Sequence, residues 1–188
     1  MNIENIVSLK QKLLTILKKD AFFRERIVLS SGKESNFYID ARLVTLTSEG
    51  AFLTASIILE LIKDQKIDAI GGPTLGADPI VGALAALSHL NHRPLNTFIV
   101  RQAPKSHGRM RHIEGPPIRE DSQVILIDDV ATTGKSLLEA IEKLKQDGIK
   151  VLKAIVLVDR QEGAAENLAK VGCPLVAIFN SFDFLSSP

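Results

Sequence analysis

VILIDDVATTGKSLLEAIEKLKQDG, residues 124–148, holds one complete strand-to-helix unit. VILI is apolar at consecutive positions, so it suits a strand covered on both faces rather than one with a wet side. After the turn, Leu137, Leu138, Ile141 and Leu144 recur as one helical stripe, and Asp147-Gly148 closes the helix in the manner of a C-cap. A doubly buried strand that feeds an amphipathic helix is the building block of a parallel sheet.

Outward from this unit the same rhythm repeats. Residues 67–72 (IDAIGG), 96–101 (NTFIVR) and 151–159 (VLKAIVLVD) read as strands, and residues 77–90 (ADPIVGALAALSHL) as a helix. Residues 2–19 space Ile3, Ile6, Val7, Leu13, Leu14 and Leu17 as a helix face, and residues 48–65 suit a second helix with Ser48 as its N-cap. The fold class is therefore α/β, an open, mainly parallel sheet flanked by helices. Two segments break the rhythm. Residues 21–47 look extended, aromatic and β-rich, and residues 102–120 (QAPKSHGRMRHIEGPPIRE) form a long polar stretch without periodicity, of the kind used as a lid or binding loop.

With 188 residues, 45% hydrophobic, the chain is expected to form a single domain with a sizeable core. A net charge of +1 gives no general reason to expect a nucleic-acid or membrane partner, no apolar run approaches the length of a membrane span, and the N-terminal MNIENIVSLKQKLL mixes charge into its apolar positions, so no signal peptide is expected. The lone cysteine, Cys173, lies in the apolar stretch VGCPLVAIF and is expected to be buried and inert, which suits a cytoplasmic setting. His89, His92 and His112 show no metal-ligand spacing with one another or with Cys173, so no protein-held zinc is expected.

The turn at the centre of the opening stretch carries the chemistry. Gly134-Lys135-Ser136 is how a nucleoside-triphosphate P-loop ends, but such a loop needs a glycine five positions earlier, where this chain has Asp129. A carboxylate there would repel the phosphates. Asp128 and Asp129 instead follow a strand, where α/β sheets bind their ligands. Paired carboxylates can accept from both hydroxyls of a vicinal diol such as ribose, or hold a hydrated Mg²⁺ in an outer shell. Residues 131–134 then turn into a helix N-terminus that favours an anion, with hydroxyls from Thr132, Thr133 and Ser136 and the charge of Lys135. Diol-binding carboxylates followed by a monophosphate cradle describe a ribose 5-phosphate site. The bland alternative is an acidic turn and a helix cap with no ligand, which leaves two adjacent aspartates at a buried edge unexplained.

VILIDDVATTG resembles the phosphoribosyl pyrophosphate (PRPP) signature of type I phosphoribosyltransferases, and FIVRQAPKSHG, residues 98–108, resembles the catalytic loop of orotate phosphoribosyltransferases. SSGKESNFYIDAR, residues 30–42, resembles that family's N-terminal base-binding element, and IGGPTLGADPI, residues 70–80, its pyrophosphate loop, where Gly71, Gly72 and Gly76 would permit close backbone approach to an anion. The resemblance implies an N-terminal helix and base-binding hood over residues 1–47, a core over residues 48–188 and a catalytic loop over residues 102–118. It implies that PRPP is bound by Arg101, Lys105 and His107 and by Asp128, Asp129, Val130, Ala131, Thr132, Thr133, Gly134, Lys135 and Ser136. Orotate would meet Thr132, Arg160 and backbone near Phe37 and Tyr38, with the Arg160 guanidinium on the same crevice rim as the aspartates and suited to the carboxylate of orotate.

On the same resemblance, Lys105 and His107 serve the leaving pyrophosphate, Asp128 and Asp129 orient the ribose, and Mg²⁺ rides on PRPP with few direct protein ligands. Family members are homodimers in which the catalytic loop reaches the neighbouring subunit's site. Two departures stand out. Gln102 and Ser30 occupy positions where many relatives carry lysine, and Gln102 leaves one fewer cation for the pyrophosphate. Two other readings stay open at this stage, a phosphoribosyltransferase for another nucleobase and a PRPP-sensing regulator of the same fold. Arg160 and the residue 30–42 element speak against the first, and the balanced charge speaks against a nucleic-acid-binding form of the second.

Overall fold

The computed structural model describes residues 6–28, 34–103 and 112–185. Helix α1 (Ile6–Asp20) leads into four two-residue strands, β1 (Phe22–Phe23), β2 (Ile27–Val28), β3 (Glu34–Ser35) and β4 (Tyr38–Ile39). Short helix α2 (Arg42–Thr45) and α3 (Ser48–Leu61) follow, then β5 (Ala69–Pro73), α4 (Asp78–Leu90), β6 (Asn96–Val100) and β7 (Ile113–Glu114). The chain continues as β8 (Gln123–Ala131), α5 (Lys135–Gln146), β9 (Lys150–Asp159), α6 (Ala164–Ala169), β10 (Leu175–Asn180) and α7 (Ser181–Leu185).

The main sheet runs in the order β10-β9-β8-β5-β6-β7, parallel throughout except for the edge pair β6 and β7. Alternate residues of the central strands feed two cores. Ile125, Ile127, Ile155 and Leu157 join α1, α3 and α4 on one face, while Val124, Leu126, Ala154 and Val156 meet Leu137, Ala140 and Leu144 of α5 on the other. This double covering is what the unbroken apolar strands required, and each fully buried Leu or Ile contributes about 1.5–3 kcal/mol. At the end of α5, Gly148 takes φ 72 and Ile149 N–H donates to the Leu144 carbonyl at 2.9 Å, the C-terminal stop read from Asp147-Gly148.

Several expectations are corrected. The α3 cap is Thr47, not Ser48: Thr47 Oγ1 accepts from the Gly50 amide at 3.0 Å, and Ser48 is already helical. The strand read as VILI runs on to Ala131 because its ladder with β9 continues through Asp128↔Val156 and Ala131↔Asp159. Both aspartates thus lie within the strand. Residues 42–45 are helical rather than extended. Part of the segment expected to be irregular forms β7, paired with β6 at Val100↔Ile113.

At the N-terminal side, β2 pairs with β3 and β1 with β4, both antiparallel. Phe37 and Tyr38 diverge from this element. The Phe37 ring packs toward the core, 5.9 Å from Phe22, whereas Tyr38 stacks on Phe23 at 6.4 Å. Among the described residues no helix is long and apolar enough to cross a membrane.

Candidate active site

The site is built around the C-terminal half of β8. Asp128 Oδ1 accepts from the Asp129 amide at 3.0 Å, and Asp129 Oδ1 accepts from the Val130 amide at 2.7 Å. Each carboxylate is thus folded back on the next peptide, which fixes its direction. Asp128 is only 7% exposed. Burial pushes its carboxyl well above the ordinary range, and the Asp129 charge adds to the effect. Asp129 is raised as well, because burial outweighs the Val130 amide and the Arg42 charge, which both favour its ionised form.

Two further acidic groups surround this pair. Asp78, at the start of α4, is raised by burial, and its Oδ1 has no hydrogen-bond partner among the described residues. Asp40 forms a two-point ion pair with Arg42, Nε to Oδ1 at 2.8 Å and Nη2 to Oδ2 at 3.0 Å, and that bonding holds its carboxyl below the usual range. The loop from β5 to α4, whose Thr74–Leu75 peptide is cis, brings Gly76 directly onto the aspartates. A Cβ at Gly76 would lie 2.2 Å from Asp129 Oδ1 and 2.7 Å from Asp128 Oδ1. Gly71 and Gly72 differ: a Cβ there would strike the carbonyls of Phe98 and Ile127, so their bareness serves sheet packing.

Beyond β8 the chain turns at Thr132 and Thr133, and Gly134 caps α5 with φ 76, a conformation that favours glycine. The Ala131 carbonyl accepts from the Arg160 amide at 2.9 Å, and the Thr133 carbonyl accepts from Asn167 Nδ2 at 3.0 Å. Lys135 and Ser136 are exposed on the first turn of the helix, where backbone amides lack intrahelical acceptors.

Arg160 has the same end of the sheet as the aspartates but is not on an open rim. It is 4% exposed, and its guanidinium is held beneath the N-terminal element. Nε donates to Glu162 Oε1 at 2.9 Å, Nη2 to Ser35 Oγ at 2.8 Å, and both terminal nitrogens reach the Phe37 carbonyl at 3.4 Å. The cation also lies 4.2 Å from the centre of the Phe37 ring. Glu162 was not singled out from sequence, although its position two residues after Arg160 is a local charge-pair signal.

Arg101 ends β6. Its amide donates to the His112 carbonyl at 2.8 Å, and its guanidinium lies 3.4 Å from Glu114 Oε1. The ammonium of Lys143, on α5, donates to the carbonyls of Arg101 at 2.8 Å and Gln102 at 2.9 Å. Lys105, His107 and Ser30 lie outside the described residues. Cys173 is buried, with its thiol pushed up to about 11 by desolvation. Among the described residues no group of three or more His, Cys, Asp or Glu is arranged to hold a metal ion alone.

The mainly parallel sheet carries paired carboxylates on β8 and, after them, a Gly-capped turn into α5, and residues 45–182 match the family described as phosphoribosyl transferase domain, which gives the class of the protein. The chain is 40% identical over 180 residues to orotate phosphoribosyltransferase of Thermosynechococcus vestitus, covering 96% of this chain and 95% of the relative. The fold superposes with a TM-score of 0.77 and 30% identity on the crystal structure of Mycobacterium tuberculosis orotate phosphoribosyltransferase in complex with PRPP, covering 95% of this chain and 99% of that one. The Aeropyrum pernix orotate phosphoribosyltransferase gives a TM-score of 0.77 at 34% identity, covering 92% and 96%. The chain belongs to the orotate phosphoribosyltransferase family.

Proposed function

We infer that this protein transfers the 5-phosphoribosyl group of PRPP to orotate, releasing pyrophosphate and forming orotidine 5′-monophosphate in pyrimidine biosynthesis. The observation that carries the reading is the bond between the Ala131 carbonyl and the Arg160 amide. It ties the diol-and-phosphate turn to an arginine suited to a carboxylate-bearing base. The near-full-length likeness to orotate phosphoribosyltransferases supports orotate over a purine base and supports an enzyme over a sensor.

In this reading Asp128 and Asp129 accept from the two ribose hydroxyls, and the turn from Val130 and Ala131 through Thr132, Thr133, Gly134, Lys135 and Ser136 receives the 5-phosphate. Thr132 and the backbone beside Phe37 and Tyr38 border the base, while Arg160 supplies the charge that matches its carboxylate. Bond cleavage at the anomeric carbon builds oxocarbenium character on the ribose and negative charge on the pyrophosphate. Two fixed carboxylates beside the ribose oppose the first, and Arg101, Lys105 and His107 oppose the second. One proton donor among Lys105 and His107 would suit the departing pyrophosphate.

The hard oxygen donors of Asp128 and Asp129, beside the unpartnered Asp78 Oδ1, suit the outer shell of a hydrated Mg²⁺. Bound with PRPP, that ion would neutralise pyrophosphate charge. We further propose a homodimer that shares the residue 102–118 loop, supported by the exposure of Leu46 at 72% and Leu75 at 62% near the site elements. A single-domain chain in the cytoplasm is consistent with the lone buried thiol. The deciding test is an assay with PRPP and Mg²⁺ that offers orotate, adenine and hypoxanthine. Consumption of orotate is expected, and consumption of a purine instead would overturn the assignment.

A further inference from the structure

Helix α6 is six residues long, and its Asn167 lies 34 positions after the Thr133 that it touches, so no local pattern links the two. Its burial anchors are Ala164 and Leu168, one helical turn apart. Ala164 packs against the turn so closely that a Cβ at Gly134 would lie 3.4 Å from the Ala164 Cα. The next contact is polar. Asn167 Nδ2 donates to the Thr133 carbonyl at 3.0 Å, and Asn167 Oδ1 accepts from the Lys170 ammonium at 3.1 Å. The amide orientation follows from chemistry, since a carbonyl only accepts and an ammonium only donates.

We propose that Asn167 is a positioning residue for the phosphate end of the substrate. A peptide carbonyl and the amide that follows it point in opposite directions across the peptide plane. Pinning the Thr133 carbonyl toward α6 therefore turns the Gly134 amide the other way, toward the crevice. The Ala131 carbonyl, held by the Arg160 amide at 2.9 Å, fixes the Thr132 amide by the same geometry. Among the described residues, the amides of Thr132, Thr133 and Gly134 donate to no backbone acceptor. Donors held in place without a protein acceptor are the elements of an anion cradle. Asn167 touches no substrate in this scheme. It acts through Thr133, and Lys170 acts through Asn167.

The inference rests on the phosphoribosyl reading of the turn, and one ligand separates the two. Ribose 5-phosphate binding is measured by calorimetry on the full chain, wild type and variants, beside steady-state kinetics. Loss of one positioning hydrogen bond should weaken ribose 5-phosphate and raise KM for PRPP by about three- to tenfold in Asn167→Ala. KM for orotate and kcat should stay within about twofold by the same reasoning. Asn167→Asp has the same shape but faces Thr133 with an acceptor, so it should be no better than Asn167→Ala, whereas Asn167→Gln should recover part of the affinity. If the wild type binds no ribose 5-phosphate, the site reading itself falls. If the wild type binds and Asn167→Ala binds equally well, or if both KM values rise together, only the role of Asn167 is overturned.

Discussion

Gly76 stands against Asp129 with no room for a side chain: a Cβ at position 76 would lie 2.2 Å from Asp129 Oδ1 and 2.6 Å from its Cγ. The loop after β5 and the carboxylates at the end of β8 are thus one packed unit. In Gly76→Ala the Asp129 carboxylate must swing away from the Val130 amide that holds it at 2.7 Å. A displacement of about 1 Å in a positioned group can cost a factor on the order of a hundred in rate. Gly76→Ala is therefore expected to lose roughly ten- to a hundredfold in kcat/KM for PRPP with a melting temperature near that of the wild type, as checked by kinetics and calorimetry. Unchanged kinetics would show that the contact has no functional weight.

Asp128 predicts a conflict between stability and activity. Its folded-state carboxyl is raised well above the unfolded value, chiefly by burial. The folded state therefore binds its proton more tightly than the unfolded state, so the ionised group destabilises the fold at neutral pH. Lowering the pH through the raised value relieves that cost, and the relief is complete below the unfolded value of about 3.9. Asp128→Asn removes the ionisation and should stabilise the ligand-free protein by about 1–3 kcal/mol at pH 8. Urea denaturation should show the gap from wild type shrinking as the pH is lowered from 8, while PRPP affinity falls at every pH. A gap that widens on acidification would contradict the burial argument.

Arg160 is expected to couple base recognition to the order of the N-terminal element. Its fork holds Glu162, Ser35 and the Phe37 carbonyl together, and its cation lies over the Phe37 ring. A lysine cannot reproduce that fork. Arg160→Lys should raise KM for orotate by roughly tenfold or more, since charge-assisted bonds contribute about 1.5–3 kcal/mol each. Amide exchange of residues 34–39 should speed up in the same variant, with ribose 5-phosphate affinity retained. Faster exchange without a change in KM would assign Arg160 to the hood alone.

The parts of this molecule legible in the sequence are those with local causes. VILI and the Leu137, Leu138, Ile141 and Leu144 stripe announce a strand and a helix because burial imposes its period on consecutive residues. The resemblance of residues 124–134 (VILIDDVATTG) to a PRPP signature depends on a contiguous stretch and so could also be read in one pass. What was not legible is set by distance in sequence. Strand β7 exists through its ladder with β6, and the burial of Arg160 depends on Ser35 and Phe37, 125 and 123 positions away. The cap at Thr47 was displaced by one residue because Thr and Ser are both competent caps, and only the Gly50 contact decides between them.

Lys143 offers a separate test of how Arg101 is held. The Arg101 amide is fixed by the His112 carbonyl at 2.8 Å, and Lys143 Nζ bridges the carbonyls of Arg101 and Gln102. Removing the ammonium in Lys143→Met leaves two carbonyls without their shared donor at the start of the segment proposed as the catalytic loop. Hydrogen bonds from a charged donor contribute about 1.5–3 kcal/mol, so a stability loss of that order is the upper bound, reduced by partial exposure of the site. Because the anchored residue is the one assigned to pyrophosphate, the kinetic effect should fall on PRPP: a several-fold rise in its KM, with KM for orotate held. Lys143→Arg keeps a cation with several donors and should recover most of the loss. An equal defect in Lys143→Arg and Lys143→Met would mean that the shape of the lysine, not its charge, sets the position of Arg101.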